Sequence, residues 1–319
     1  MMKTMKMKLA AALFPLVLLL SGCREKAGVL NPQGPVARAQ YHLIVWALIM
    51  MSLVLAVVLI IFIYVLVRFG RKKNEEFDPN NTGNRKLEIV WLIFPVIICI
   101  LLMVPTVKTL FSLNNPPKAT SAEPVAIHGK NLTIDVTSAQ WKWFFRYPGQ
   151  KIETVNYVVI PAGVPVKFRL HAYDAMNTFW VPELGGMQYT MTDMPMQLWL
   201  QADKPGNYQG RSGNYSGKGF AKMTFNVLAK SDGDFDSWVK NVKDNQPGLT
   251  MKKYKSMLKP DLIHGTLTFS NYPKALEKNL DIAQMEGKDK AHSSSSMHHM
   301  KGMKGMDMDN DKKGGDSHD

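Results

Sequence analysis

The stretch with the most chemical promise is YQGRSGNYSGKGFAKM, from Tyr208 to Met223. Its glycines and spacing are those of a tight metal-binding loop closed by a methionine. Such loops hold soft or borderline ions by bringing thiolates and imidazoles together. This one has no cysteine and no histidine, and Met223 is its only sulfur. A thioether with backbone oxygens is too weak a donor set for a metal pair, because serine hydroxyls cannot replace thiolates. The loop is therefore expected to keep its turns, with Phe220 packing inward, and to hold no metal.

Other residues invite chemistry with less support. Glu88, in KLEIVW, is a carboxylate just inside an apolar run, where acids are costly enough to suggest proton handling; the bland reading is an interfacial acid meeting water or Lys86. Trp141 and Trp143 form an aromatic pair, read as core packing or subunit contact. His128, His171 and His264 are scattered without partners at ligand spacing. Met297, His298, His299, Met300, Met303 and Met306 in the tail suit loose copper binding, against the plainer reading of a solvated segment. Cys99 lies in the apolar run VIICILLM and reads as a small hydrophobe.

These residues need elements to position them. Lysines 3, 6 and 8, the apolar stretch Leu9–Leu20 and the ending LLLSGC make residues 1–22 a lipoprotein-type signal peptide with Cys23 as the expected lipid site. After an outward-facing segment, 23–40, two charge-free runs approach the ~20 residues a spanning helix needs. They predict transmembrane helices over 41–67 and 87–111. The loop between them, 68–86, carries Arg68, Arg71, Lys72, Lys73, Arg85 and Lys86, which places it in the cytoplasm. A proline-rich linker, 112–125, leads to short alternating runs and Pro-Gly turns over 126–230, the pattern of a β-sandwich or barrel. Residues 231–285 have helical spacing, and the Met/His-rich tail 286–319 lacks the branched apolar residues that build a core. The net charge of +13 is dispersed rather than gathered in an arginine stripe, which argues against nucleic acid as a partner.

Four stretches, KLEIVWLIFP, AQWKWFFRYPG, MNTFWVPELGG and PGNYQGRSGNYSGKGFAKM, resemble subunit II of the haem-copper respiratory oxidases. The resemblance implies a two-helix transmembrane hairpin, an exported cupredoxin-like β-sandwich or barrel, and a small C-terminal helical region. In the cytochrome c-oxidising members this domain holds a dinuclear copper centre, CuA. The matching positions here are Asn177, Ser212, Asn214, Ser216 and Phe220, where the ligands are lost, and Met223, where one is retained.

That pattern resembles subunit II of ubiquinol oxidases of the cytochrome bo type. It implies a proton-pumping complex that oxidises ubiquinol without cytochrome c and lies in the bacterial inner membrane with the β domain outside. Haem and copper would belong to partner subunit I, beside smaller membrane subunits, and no catalytic residue or cofactor to this chain. The position of Glu88 implies the entrance of the K-type proton path. A membrane-anchored copper-handling lipoprotein using the Met/His-rich tail is the alternative.

Overall fold

The computed structural model describes residues 28–69, 83–119, 132–192 and 194–276. The signal peptide, Cys23, His128, the middle of the 68–86 loop, the end of the linker and the 286–319 tail lie outside the described residues. The chain divides into two compact units, Met1–Tyr272 and Pro273–Asp319, and only a 3-10 turn at Lys274–Leu276 is described in an element of the second.

The two apolar runs form helices α1 (Pro35–Phe69) and α2 (Arg85–Leu113). At 1.5 Å per residue they measure roughly 50 and 43 Å, longer than the ~30 Å hydrocarbon core of a bilayer. Most of their large apolar side chains are exposed, as a lipid-facing surface requires. Asn84 caps α2 by accepting a hydrogen bond from the Lys86 amide at 3.0 Å. Pro95 and Pro105 both lie inside α2. Because Pro105 has no amide hydrogen, the Leu101 carbonyl one turn earlier loses its helical partner, and the Trp46 indole of α1 donates to it at 3.3 Å.

The first helix starts earlier than hydropathy suggests. Residues 35–40, expected in a separate outward-facing segment, are already helical, and Val36 and Ala37 are buried. Hydropathy marks where charge stops, whereas backbone hydrogen bonding marks where the helix starts. Gln33 donates to the Glu183 carbonyl at 2.7 Å and accepts from the Asp203 amide at 2.9 Å. Arg38 pairs with Asp203. Gly34 is needed here, since a Cβ would sit 2.1 Å from the Gln201 carbonyl oxygen. The β domain is thus fastened to the head of α1.

That domain has ten strands in direct succession: β1 (Leu132–Ala139), β2 (Lys142–Tyr147), β3 (Ile152–Val155), β4 (Tyr157–Pro161), β5 (Val166–Ala172), β6 (Asn177–Trp180), β7 (Gln188–Thr190), β8 (Met196–Leu200), β9 (Gly206–Ser212) and β10 (Thr224–Lys230). Helices α3 (Asp232–Asn245) and α4 (Met251–Met257) follow, then strand β11 (Leu267–Phe269). A six-stranded sheet, β11-β3-β2-β1-β5-β8, faces a five-stranded one, β4-β10-β9-β6-β7. The β1–β5 and β4–β10 pairs are parallel. Alternate residues of the strands turn Trp143, Phe145, Phe168, Phe179 and Phe225 into one core, with the Phe179 and Phe225 rings stacked at 4.9 Å.

The 231–285 region holds α3 and α4, as its helical spacing led one to expect, but also β11, which was not expected and which pairs antiparallel with β3 as the edge strand of that sheet. Its apolar alternation spans only three residues, too few to stand out in sequence. The helical spacing read at 272–284 appears as the turn at Lys274–Leu276, and the rest lies outside the described residues. Ser231 and Thr250 cap α3 and α4. Buried Lys142 donates to the Met257 and Lys259 carbonyls at 2.8 and 2.7 Å, tying the end of α4 to β2. Burial pushes the Lys142 ammonium below its ordinary pKa, against the pull of Asp261 and Asp174.

On the other face of the six-stranded sheet, register aligns Glu153, Arg146, Asp135 and Arg169 across four neighbouring strands. Arg146 Nε donates to Glu153 Oε2 at 3.1 Å, and Arg169 forks onto both Asp135 oxygens. Glu153, Arg146 and Asp135 are buried.

Candidate functional site

The glycine-rich loop leaves β9 at Ser212 and returns to β10 through a 3-10 turn at Phe220–Lys222. Strand β6 brings Asn177 beside it, since Phe179 pairs with Ser212. Asn177 is fully buried, and its Nδ2 donates to the Ala175 carbonyl at 2.9 Å. The Ser212 hydroxyl lies 3.3 Å from both Asn177 Oδ1 and the Asn214 carbonyl oxygen, while Asn214 Nδ2 donates to the Met176 carbonyl at 3.0 Å. The Ser212 amide donates to the carbonyl of buried Met223 at 3.1 Å. The positions singled out by resemblance therefore meet at one end of the sandwich.

Two of them behave otherwise. Phe220 does not pack inward: it is half-buried and sets its ring edge-on to exposed Tyr215, with centroids 5.8 Å apart. The core beneath is already filled by Trp143, Phe179, Phe225 and Met223, which leaves no room for a further ring. Ser216 turns its hydroxyl into a buried position without a hydrogen-bond partner among the described residues, while its carbonyl accepts from the Trp141 indole at 2.8 Å.

The two tryptophans separate. Trp143 is wholly buried against Phe179 and Phe225, at 5.6 and 5.3 Å between centroids. Trp141 lies over the loop: a Cβ on Gly219 would stand 2.2 Å from its ring, and Gly217, at φ +108°, passes beneath the same ring. The glycines permit this tryptophan to close the loop.

This donor set does not fit a dinuclear copper centre. One amide, two hydroxyls and a phenyl ring, at Asn177, Ser212, Ser216 and Phe220, are no match for the two thiolates and two imidazoles that stabilise cuprous copper, and Asn177, Asn214 and Ser212 are engaged with one another or with backbone. Among the described residues no cluster of three or more His, Cys, Asp or Glu could hold a metal. His171 lies on β5 and His264 precedes β11; Cys99 is exposed on α2.

Glu88 stands in the first turn of α2, exposed, with its carboxylate beside Gly83 at the capped end. Sequence reasoning missed the docking of residues 28–38, the Lys142 tie and the charge row. Only the row left a signal, a charged residue at the outward position of each of four strands.

Two membrane-length helices carry a two-sheet β domain whose rim loop is lined by residue types that are poor ligands for a copper pair. Residues 28–109 match the family model described as cytochrome c oxidase subunit II, transmembrane domain. The chain is 52% identical over 278 residues to quinol oxidase subunit 2 of Bacillus cereus (strain ATCC 14579), covering 84% of this chain and 93% of that protein. It is 41% identical over 273 residues to quinol oxidase subunit 2 of Bacillus subtilis (strain 168), covering 84% and 82%. The solved periplasmic domain of subunit II of cytochrome oxidase from Bradyrhizobium japonicum is similar at 24% identity and a TM-score of 0.36, over 41% of this chain and 98% of that one. The chain belongs to the quinol oxidase subunit 2 family, within subunit II of the haem-copper oxidases. It is a membrane protein of an oxidoreductase complex, where it partners subunit I.

Proposed function

We propose that this chain is the metal-free subunit II of a proton-pumping quinol oxidase, whose complex oxidises a membrane quinol and reduces dioxygen to water. The observation that carries the reading is the rim loop, where Asn177, Ser212 and Asn214 bind one another and backbone in place of copper. With no CuA ligand set there is no relay for a soluble donor such as cytochrome c, which suits a donor dissolved in the bilayer. Haem and copper in subunit I supply the oxygen chemistry. Both helices span the membrane, the basic 68–86 loop lies in the cytoplasm, the β domain faces outward, and Cys23 carries the lipid anchor; the charge bias and signal pattern support this topology. Smaller membrane subunits complete the assembly.

Within this complex the β domain caps the outer face of subunit I, fastened through the head of α1. Glu88, at the capped cytoplasmic end of α2, gathers protons from water and offers them to the K-type path.

Purification of the complex through this chain tests the reading, with an optical spectrum, metal analysis, and oxygen consumption on reduced ubiquinone and a reduced naphthoquinone. Haem spectra, quinol-dependent oxygen uptake and no CuA absorption are expected, with ubiquinol the better donor. Absence of haem and of a large partner would sink the reading, and copper held by the tail alone would favour the copper-handling lipoprotein. Glu88→Gln keeps shape but removes the titrating group, so haem content should stay normal while turnover falls. Unchanged oxygen uptake would reduce Glu88 to an interfacial acid.

A further inference from the structure

Just past the 3-10 turn that ends the rim loop, the start of β10 and the segment 262–266 border a cavity of about 240 Å³. Phe225 packs in the core, so Thr224 and Asn226, on either side of it, stand on the opposite face of β10. They line the cavity with Lys222, His264 and Thr266. Asn156 builds its wall. As the single residue between β3 and β4, at φ +62°, it donates from Nδ2 to the Ile263 and Gly265 carbonyls at 3.1 and 3.2 Å. Its Oδ1 accepts from the Trp143 amide at 3.1 Å, and its carbonyl accepts from the Asn226 amide at 3.2 Å. Gly265, at φ +83°, bends the segment around this clamp.

Those bonds consume acceptors at the edge of the cavity and leave donors. The side chains of Lys222, Thr224, Asn226, His264 and Thr266 make no hydrogen bond or ion pair among the described residues, and no Asp or Glu lines the cavity. An ammonium can only donate, and hydroxyl, amide and imidazole groups can each turn a donor to the same acceptor. Donors carried by two chain segments, one of them a cation, suit an anion that accepts from every side. A phosphate group does this with several strong acceptor oxygens, whereas a planar carboxylate offers two. At about 30 Å³ per water the cavity has room for roughly eight waters, enough for a phosphate group and part of its hydration shell. We propose that the cavity binds a phosphate group, free or as the head of a small monoester, with Lys222 as its counter-charge. The bound anion ties the return of the rim loop to the segment 262–266. The site makes no use of the oxidase reading, so the two fail separately.

The test titrates the purified complex with inorganic phosphate and with glycerol phosphate at fixed pH and ionic strength, and follows binding by broadening of the ligand's phosphorus NMR signal. Saturable binding is expected. Lys222→Gln should weaken it about tenfold, the effect of losing one charge-assisted hydrogen bond. Asn226→Asp, which keeps the side chain's shape but sets a carboxylate in the cavity, should abolish it. Lys218→Gln, an exposed change on the same loop but outside the lining, should leave binding unchanged. Lys222 is itself exposed, so its replacement leaves the fold intact and carries the test even if Asn226→Asp destabilises the domain. Tighter binding of glycerol phosphate assigns the site to a monoester, and equal binding assigns it to phosphate itself. Broadening that never saturates, or equal weakening by Lys218→Gln and Lys222→Gln, reduces the interaction to general attraction by a basic surface and overturns the proposal.

Discussion

Two ends of the β domain solve opposite electrostatic problems. At the rim loop, Asn177, Ser212 and Asn214 are neutral, and their contacts of 2.9–3.3 Å run to one another or to backbone. Across the outer face of the six-stranded sheet, Glu153, Arg146, Asp135 and Arg169 bring four formal charges into one row, three of them buried. The loop tolerates loss of charge because amides and hydroxyls satisfy each other locally. The row tolerates burial only because each charge has an opposite neighbour. One region is thus held by neutral hydrogen bonds, the other by charges it cannot lose singly.

The sharpest way to break the contrast is to remove one member of the row. Glu153→Leu removes one of the two carboxylates beside the Arg146 guanidinium, leaving Asp135, and breaking a buried pair from one side is expected to cost up to about 3–5 kcal/mol. Adding Arg146→Met should recover most of that loss, read as unfolding midpoints of the full chain in detergent. If the double variant is no more stable than the single, the row is not held by mutual charge. At the loop, Gly219→Val drives a side chain into the Trp141 ring, an overpacking expected to cost about 1–3 kcal/mol. Trp141→Ala in the same chain should relieve the clash, which a purely backbone effect of the glycine would not allow.

Acidification probes the row more gently. Burial raises the carboxyls of Asp135 and Glu153 above the ordinary range, opposed by Arg169 at Asp135 and by Arg146 at Glu153. A raised folded-state value favours the protonated form, so this contribution is complete below the ordinary carboxylate range and is lost as pH rises through the raised value. Relative to Asp135→Asn, the wild type should therefore gain in melting temperature as pH falls from about 7 to about 4. A wild-type advantage that shrinks on acidification would contradict the stated direction.

Sequence disclosed much of this molecule because its strongest signals are physical extremes. The charge-free runs and the alternating strands between Pro-Gly turns follow from periodicity, and two long apolar helices followed by a two-sheet β domain are what the structure shows, with α1 starting at Pro35 rather than at residue 41. Residue types at positions 177, 212, 214, 216 and 220 are neutral and free of sulfur, as the sequence shows directly, and β6 and β9 bring Asn177 and Ser212 together. What stayed hidden depended on long-range pairing. Nothing local in LTF at 267–269 says that it will meet β3, and nothing in Gln33 or Arg38 names Glu183 or Asp203 as partners. Phe220 misled because an aromatic in a glycine-rich loop usually turns inward, while this core was already full.

The smallest expected effect bears most directly on what the loop is for. Ser212→Ala removes a hydroxyl poised between Asn177 Oδ1 and the Asn214 carbonyl, both at 3.3 Å. Those contacts are long for a hydroxyl donor, so each contributes little, yet Asn177 Oδ1 is buried and would lose a partner. The balance is a destabilisation of about 1 kcal/mol, since hydrogen-bond deletions of this kind cluster near that value. Oxygen uptake and haem content of the assembled complex should be unchanged, because a residue that only holds the loop has no part in electron or proton movement. Turnover that collapses while the unfolding midpoint stays put would show that Ser212 acts in the chemistry, and the loop could no longer be treated as a structural remainder.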